Sequence, residues 1–174
     1  MNVRKLVYIC NKNNMKIIFL DIDGVLNSEK FSIWIHEHPE FCENGGHFWI
    51  DPEKVEMVIN LCEETGAKIV ISSSWRGWSL KTTLEDFSTY RDLSKLNPYI
   101  VGVTPKFFMM YSNTQISRGN EIQHYLNKHQ SITHYCIIDD DNDMLQEQQE
   151  KFVQTDNQVG LTVEDYQKVI NILK

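Results

Sequence analysis

The sequence predicts an α/β fold: a doubly wound, mostly parallel sheet with helices on both faces. The first observation is that short apolar runs, typical of buried strands, alternate with segments of helical periodicity. The second is that three of these runs end directly in polar residues that can form a site, as strands do at the ligand-binding edge of a parallel sheet. The length of 174 residues suits one domain with a sizeable core.

Five apolar runs bounded by turn or polar residues are predicted strands. They are residues 16–20, 68–71, 98–103, 134–138 and 152–155.

Three segments carry the start signals and the apolar period of helices. In the first, Asp51 is the predicted N-cap, Pro52 takes the first helical position and Gly66 ends the helix. The second begins after Ser117, and the third opens with a variant of the capping box at Thr162. The predicted inward-facing residues are Val55, Val58, Ile59, Cys62, Ile122, Tyr125, Leu126, Tyr166, Val169, Ile170 and Leu173.

Two stretches do not follow this alternation. Residues 28–50 and 77–113 are rich in aromatic side chains and are predicted to be small irregular inserts at the rim of the site. Neither has room for a separate cap domain, since domains need at least about 50 residues, so we expect a largely open site. Residues 1–14 are a predicted N-terminal extension, with a short strand at 5–10 as the alternative, and residues 15–174 a single domain.

Composition narrows the classes of function. The 17 Lys and Arg against 24 Asp and Glu give a net charge of −7, which argues against a protein that coats nucleic acid but allows a local basic pocket. The four cysteines form no CxxC pair, so we expect reduced thiols and a cytoplasmic setting. No run has the pattern of a signal peptide or the length of a membrane span.

Four groups of polar residues follow predicted strands or begin a predicted helix. They are Asp21 and Asp23, Ser72 to Ser74, Arg118, and Asp139 to Asp141. Burying two carboxylates at the end of a strand costs folding free energy, so such a pair indicates that they bind a cation or take part in a reaction. An acidic pair, a hydroxyl, a cation and a second acidic cluster are the groups that phosphoryl transfer through an aspartyl-phosphate needs. They also indicate a Mg²⁺ site, because this hard cation prefers carboxylate oxygens.

These groups match a known superfamily. Residues 19–27, FLDIDGVLN, resemble the first motif of the haloacid dehalogenase (HAD) phosphohydrolases, and the other groups resemble its three later motifs in order. The resemblance implies that Asp21 is the nucleophile and Asp23 the general acid and base. It also implies Mg²⁺ ligation by Asp21, Asp140 and the backbone carbonyl of Asp23. Asp139 is then a supporting residue.

The resemblance further implies a hydroxyl and a cation as phosphate ligands. The spacing to Trp75 favours Ser73 over Ser72 as the serine of the second motif. Arg118 stands where the superfamily usually has lysine, and an arginine can bind phosphate through two hydrogen bonds.

A narrower resemblance is to the small HAD domains of RNA-repair ("Swiss Army Knife") proteins, carried by the segments ISSSWR, RGNEI, IIDDDNDM and GLT. It implies a phosphatase for nucleotide or RNA-end phosphates. The alternatives are a HAD phosphatase for phosphoproteins or small phosphometabolites, a phosphotransferase, a receiver-like domain and an inactive HAD-fold binding module. A receiver is disfavoured because its acceptor aspartate follows a mid-chain strand, where this chain has serines. Oligomeric state is not predicted.

Some residues near these motifs have competing interpretations. Arg76 could contact a substrate phosphate or form a surface salt bridge. Trp75 and Trp78 are more typical of core or rim packing than of base stacking. The histidines of the first insert lack the spacing of a zinc site; they are His36, His38 and His47.

Overall fold

The computed structural model describes residues 14–41, 50–107 and 116–174. Within them, five strands form one parallel sheet in the order β3-β2-β1-β4-β5. The strands are β1 (Met15–Leu20), β2 (Lys68–Ile71), β3 (Ile100–Val103), β4 (Ile132–Asp139) and β5 (Phe152–Gln154). The predicted α/β class is confirmed, and each predicted strand is present to within two residues at either end. Of the proposed extension at residues 1–14, residues 1–13 lie outside the described residues.

Five α-helices surround this sheet in the described part of the chain. They are α1 (Glu29–Glu37), α2 (Pro52–Thr65), α3 (Leu80–Phe87), α4 (Arg118–Lys128) and α5 (Val163–Leu173). Short 3-10 helices lie at Pro39–Phe41, Leu93–Leu96 and Gln146–Lys151. No helix among these residues is long and apolar enough to cross a membrane.

Alternate residues of β1 build a core on each face of the sheet. Ile18 and Leu20 pack with apolar residues of α2 and α5 on one face. Ile17 and Phe19 pack against α4 on the other face, where Phe19 meets the ring of Tyr125 edge-on at 5.7 Å. Because successive side chains of a strand point to opposite faces, a strand apolar at every position is covered on both sides.

The predicted capping residues of α2 and α5 form the expected caps. Asp51 Oδ1 accepts a hydrogen bond from the Glu53 amide at 2.9 Å, and Gly66 ends α2 at φ 72°. Thr162 and Asp165 form a reciprocal capping box at α5. At α4, Ser117 holds the N-cap position but its side chain makes no capping hydrogen bond.

The expectation of irregular structure in the two inserts was wrong where the structure describes them. Residues 28–41 form α1 and a 3-10 helix, and residues 79–87 form α3 with its own capping box at Ser79. Helix α1 has no buried residue, and α3 buries only Thr83 and Phe87. Helix α3 nevertheless has Leu80, Leu84 and Phe87 at i, i+4 and i+7, a helical apolar period that sequence reasoning missed. No cap domain is present in the described parts of the inserts.

The two cysteines among the described residues are reduced, as the sequence predicted. Cys62 and Cys136 are buried free thiols, and burial raises the pKa of each to about 12. Cys10 and Cys42 lie outside the described residues.

Candidate active site

Strand register brings the polar residues of β1, β2 and β4 to one edge of the sheet. Leu20 lies opposite Ile71 of β2 and Ile138 of β4. The hydrogen-bonded ladder continues one residue further, since the Asp21 amide donates to Ile138 O at 3.0 Å and the Ser72 amide to Leu20 O at 2.8 Å. The residues that follow these three strands therefore meet at the carboxyl edge, as the sequence predicted.

Asp21 lies at the centre of this edge and is 5% exposed. Its Oδ1 accepts a hydrogen bond from the Ile22 amide at 2.7 Å, and the Ser73 hydroxyl donates to the same carboxyl group. Burial raises the pKa of Asp21, although Arg118 and the Ser73 hydrogen bond act in the opposite direction.

Asp139 and Asp140 complete an acidic cluster with Asp21. One carboxylate oxygen from each residue lies within 4.8 Å of the others. Asp139 is 1% exposed, and burial together with the nearby charge of Asp21 raises its pKa to about 8. Its Oδ2 is buried without a hydrogen-bond partner. Three crowded carboxylates, one with an unsatisfied oxygen, fit a hard divalent cation such as Mg²⁺.

Gly24 permits the approach of Asp140 to this cluster. Its φ is 65°, a left-handed conformation that glycine adopts without strain. A Cβ at this position would lie 2.3 Å from Cγ of Asp140, so a larger residue would displace that carboxylate. The Thr155 hydroxyl donates to Gly24 O at 2.8 Å and so stabilises the turn that contains Gly24.

Arg118 supplies the positive charge of the site. Its Nη2 lies 3.8 Å from Asp21 Oδ2 and its Nε 3.5 Å from Asp139 Oδ2, while its side chain is 11% exposed. Its Nη1 is buried and has no hydrogen-bond partner. The Arg118 amide donates to Asp143 Oδ2 at 2.7 Å, so Asp143 stabilises the start of α4, where the Ser117 side chain makes no capping hydrogen bond.

The two candidate serines point to different places. The Ser73 hydroxyl bonds to Asp21 and also accepts a hydrogen bond from the Trp75 amide at 3.2 Å. Ser72 is equally buried, but its hydroxyl faces Thr104 Oγ1 at 3.4 Å, toward β3. The geometry agrees with the sequence-based preference for Ser73, whose role as a phosphate ligand remains a prediction.

Asp23 occupies the exposed side of the edge and does not bond to Asp21. The Trp75 indole Nε1 donates to both of its carboxylate oxygens, at 2.9 and 2.8 Å. The Ser74 hydroxyl donates to Oδ2 at 3.3 Å, and Asn27 Nδ2 donates to Oδ1 at 2.9 Å. These donors orient the carboxylate toward solvent beside the cluster, where a leaving group or a water molecule can reach it.

Comparison with known proteins agrees with this geometry. A family model described as the HAD domain in Swiss Army Knife RNA repair proteins matches residues 17–166. The chain belongs to this family. No curated protein and no solved structure gave a significant match. Membership of this family supports the assignment of the chain as a HAD-superfamily hydrolase. The matched range contains every residue of the acidic cluster as well as Ser73 and Arg118.

Both interpretations of Arg76 were wrong for this HAD domain. Arg76 is 1% exposed, and its Nη2 pairs with the buried Glu121 Oε2 of α4 at 2.5 Å. Its remaining donors bond to the backbone carbonyls of Ser73, Thr104 and Pro105. Arg76 therefore ties the loop after β2 to the loop after β3 and to α4, and it cannot reach a substrate phosphate.

Sequence reasoning missed two residues at the rim of the HAD site. Trp75 was assigned to packing, and its ring does contact Tyr90 at 5.4 Å, but its indole N–H also holds Asp23. Lys106, which follows β3, donates through Nζ to Ser74 O at 3.3 Å. A tryptophan or a lysine in a loop carries no sequence period, so only the folded chain reveals these contacts.

The other aromatic and histidine residues divide between surface and packing positions. Trp78 is 80% exposed, so of the two expected positions, core or rim, it is not in the core. His38 stacks on Trp34 at 4.7 Å, and its Nδ1 lies 2.8 Å from Trp34 O. The group of possible metal ligands found among the described residues contains only aspartates. His47 lies outside those residues.

Proposed function

We propose that this HAD domain is a Mg²⁺-dependent phosphatase that forms an aspartyl-phosphate on Asp21 and acts on a phosphate at a nucleic-acid end. The observation that carries the proposal is the pair of unsatisfied groups at one site. Asp139 Oδ2 is a buried acceptor, and Arg118 Nη1 is a buried donor. A cation satisfies the first and a phosphate oxygen satisfies the second.

In the first step, a carboxylate oxygen of Asp21 attacks phosphorus and the bond from phosphorus to the leaving oxygen breaks. Asp23, in its protonated form, gives its proton to that leaving oxygen. Arg118 and the Ser73 hydroxyl bind the non-reacting phosphate oxygens. Because these groups are already fixed in a buried site, they stabilise the charge that develops in the transition state.

In the second step, Asp23 takes a proton from a water molecule. The water oxygen attacks phosphorus, the bond between phosphorus and Asp21 breaks, and inorganic phosphate leaves with the Asp21 carboxylate restored. The exposed position of Asp23 supports both of its roles, since the alcohol product must leave and the water must enter by the same side.

Asp21, Asp140 and the backbone carbonyl of Asp23 would hold the cation, with Asp139 beside them. When bound there, Mg²⁺ would neutralise the negative charge of the phosphate. The cluster fits this role because three carboxylates repel one another without a counter-charge. Burial raises the pKa of Asp21, Asp139 and Asp140, and the charge of Asp21 raises that of Asp139 further.

Two observations support a nucleic-acid end as the substrate. The matched family is described by its occurrence in RNA repair proteins. The described residues also contain no cap over the carboxyl edge, so a phosphate on a long chain has access to Asp21.

Substituting the proposed nucleophile tests this function. Asp21→Asn should lower kcat for p-nitrophenyl phosphate by about 10⁴-fold or more, because the amide cannot accept the phosphoryl group. The matched control is Asp86→Asn, since Asp86 is an exposed residue of α3. EDTA should abolish turnover by the wild-type protein, and added Mg²⁺ should restore it. Wild-type activity in a folded Asp21→Asn protein, or full activity in EDTA, would contradict the proposal.

A further inference from the structure

A cleft of about 250 Å³ lies next to the proposed active site, between the end of β3 and the outer side of α4. Basic and aromatic side chains dominate its lining, and none of the described lining residues is acidic; the main ones are Trp78, Lys106, His124, Tyr125, Lys128 and His129. In a chain of net charge −7, such a cleft is a local exception to the overall charge. This combination favours an anionic ligand that also has flat rings.

The cleft is connected to the catalytic edge through Lys106. The Lys106 ammonium group donates to Ser74 O at 3.3 Å, and the Ser74 hydroxyl donates to Asp23 Oδ2 at 3.3 Å. Lys106 is therefore one residue away from the proposed acid and base. Burial and the nearby Arg76 and Arg118 lower the pKa of Lys106. A ligand phosphate beside it would relieve this repulsion between cations.

Trp78 offers a free aromatic surface at the mouth of the cleft. It is the most exposed of the large apolar side chains in the described residues, at 80%. The Lys106 ammonium group lies 5.8 Å from the centre of its ring. An exposed indole beside a lysine matches the way proteins bind single strands, with a base stacked on the ring and a phosphate on the cation.

We propose that this cleft binds the single-stranded nucleic acid that carries the terminal phosphate, with a base on Trp78 and backbone phosphates on Lys106 and Lys128. This inference rests on the proposed function and names the path of its substrate. The strand would leave Asp23 past Lys106 and follow α4 toward Lys128. From Arg118 to Lys128 the helix rises about 15 Å, the length of about four stacked nucleotides at about 3.4 Å each.

A binding experiment tests the cleft without any turnover. Fluorescence anisotropy measures the affinity of the full chain for a labelled single-stranded RNA of about six nucleotides that lacks a terminal phosphate. Trp78→Ala should weaken binding by about 5- to 150-fold, the range for loss of one stacked base, while Trp78→Phe should recover most of the affinity. Lys106→Ala and Lys128→Ala should also weaken binding.

Salt dependence separates the two kinds of contact. Each lysine that neutralises a phosphate of a single strand contributes about −0.7 to the slope of log K against log salt. Lys106→Ala and Lys128→Ala should therefore each flatten the slope by about 0.7, whereas Trp78→Ala should keep the wild-type slope. Lys168→Ala is the matched control, because Lys168 lies on α5, which packs on the opposite face of the sheet. This control should match the wild type in affinity and slope.

The outcomes distinguish this inference from the proposed function. Absence of binding by the wild-type protein would overturn the inference, and so would equal affinities for the wild type, Trp78→Ala and the two lysine variants. A protein that binds RNA through these residues but hydrolyses no phosphomonoester would support the cleft and contradict the phosphatase. For an active enzyme, Trp78→Ala should lower kcat/KM on a phosphorylated oligonucleotide at least fivefold more than on p-nitrophenyl phosphate, and equal losses would count against the inference.

Discussion

Crowded carboxylates determine the behaviour of the site at the scale of single residues. Asp21 and Asp139 are both nearly inaccessible to solvent, and the positive charge beside them is that of Arg118 at 3.5 to 3.8 Å. Burial disfavours the charged form of a carboxyl group, and a second carboxylate nearby disfavours it further. Without a divalent cation, this part of the protein therefore holds protons at pH values where an exposed aspartate would have lost them.

A pH-dependent stability follows for the metal-free protein. The pKa of Asp139 is raised from 3.8 to about 8, so between these values the folded protein keeps a proton that the unfolded chain releases. Asp139 therefore adds most to the free energy of unfolding below pH 3.8, where both states are protonated. This contribution falls as the pH rises and is lost once the pH passes about 8. Relative to the wild type in EDTA, Asp139→Asn should gain Tm progressively across this window.

Thermal melts of the two proteins in EDTA, at several pH values from about 4 to about 8, measure this difference. Asp86→Asn serves as the control and should show no such trend. Mg²⁺ should raise the wild-type Tm most at the upper end of the window, because ligand carboxylates must lose their protons to bind it. A Tm difference between Asp139→Asn and the wild type that is constant with pH would contradict the account.

The sequence predicted the site residues that follow strands and missed those that act from loops. Asp21, Ser73 and Asp139 each follow an apolar run, so parallel topology alone places them at one edge. Trp75 acts through its indole hydrogen bonds to Asp23, and Lys106 through its hydrogen bond to Ser74 O. Such contacts depend on loop conformations that no periodicity encodes.

At the scale of elements, a buried ion pair holds the loops around the site. Arg76 and Glu121 have fully buried side chains. Glu121 Oε1 also accepts from the Phe107 amide at 3.0 Å, so the pair joins β2, β3 and α4 at their ends. Glu121 was not among the predicted site residues. The partner of a buried charge is decided by tertiary packing, and the sequence does not show it.

Removing one member of this pair should be far costlier than removing both. Arg76→Met and Glu121→Leu should each destabilise the fold by about 3–5 kcal/mol, because each leaves an uncompensated buried charge. The double variant should lose much less than the sum, since no charge remains. Urea denaturation of the four proteins gives the coupling energy. Additive losses would show that Arg76 and Glu121 stabilise the fold independently.

Helix prediction at this scale succeeded where helices bury an apolar face. Helices α2 and α5 bury four and three apolar side chains respectively and carry their capping residues in sequence. Helix α1 buries none, and the cap at Ser28 marks its start. Exposed helices of this kind are held by caps and by neighbouring loops, here through backbone bonds to Asn157 O and Gln158 O.

At the scale of the whole molecule, the absence of a cap in the described residues predicts the kind of substrate. Caps in enzymes exclude solvent and shape a closed pocket around small substrates. This site instead leaves Asp23 exposed, and Lys106 of the neighbouring cleft donates to Ser74 O beside it. The protein should therefore hydrolyse a phosphorylated oligonucleotide with kcat/KM at least equal to that for a small phosphosugar. Activity confined to small phosphomonoesters would contradict the open site.

Trapping of the phosphoenzyme tests the central claim most directly. In Asp23→Asn the first step should still proceed with p-nitrophenyl phosphate, whose leaving group needs no proton, while hydrolysis of the intermediate slows. Borohydride reduces an aspartyl-phosphate to homoserine, which mass spectrometry of the digested protein locates. The account predicts homoserine at position 21 only, dependent on substrate and on Mg²⁺. Homoserine at another aspartate, phosphate on Ser73 or a histidine, or no trapped product during turnover would contradict it.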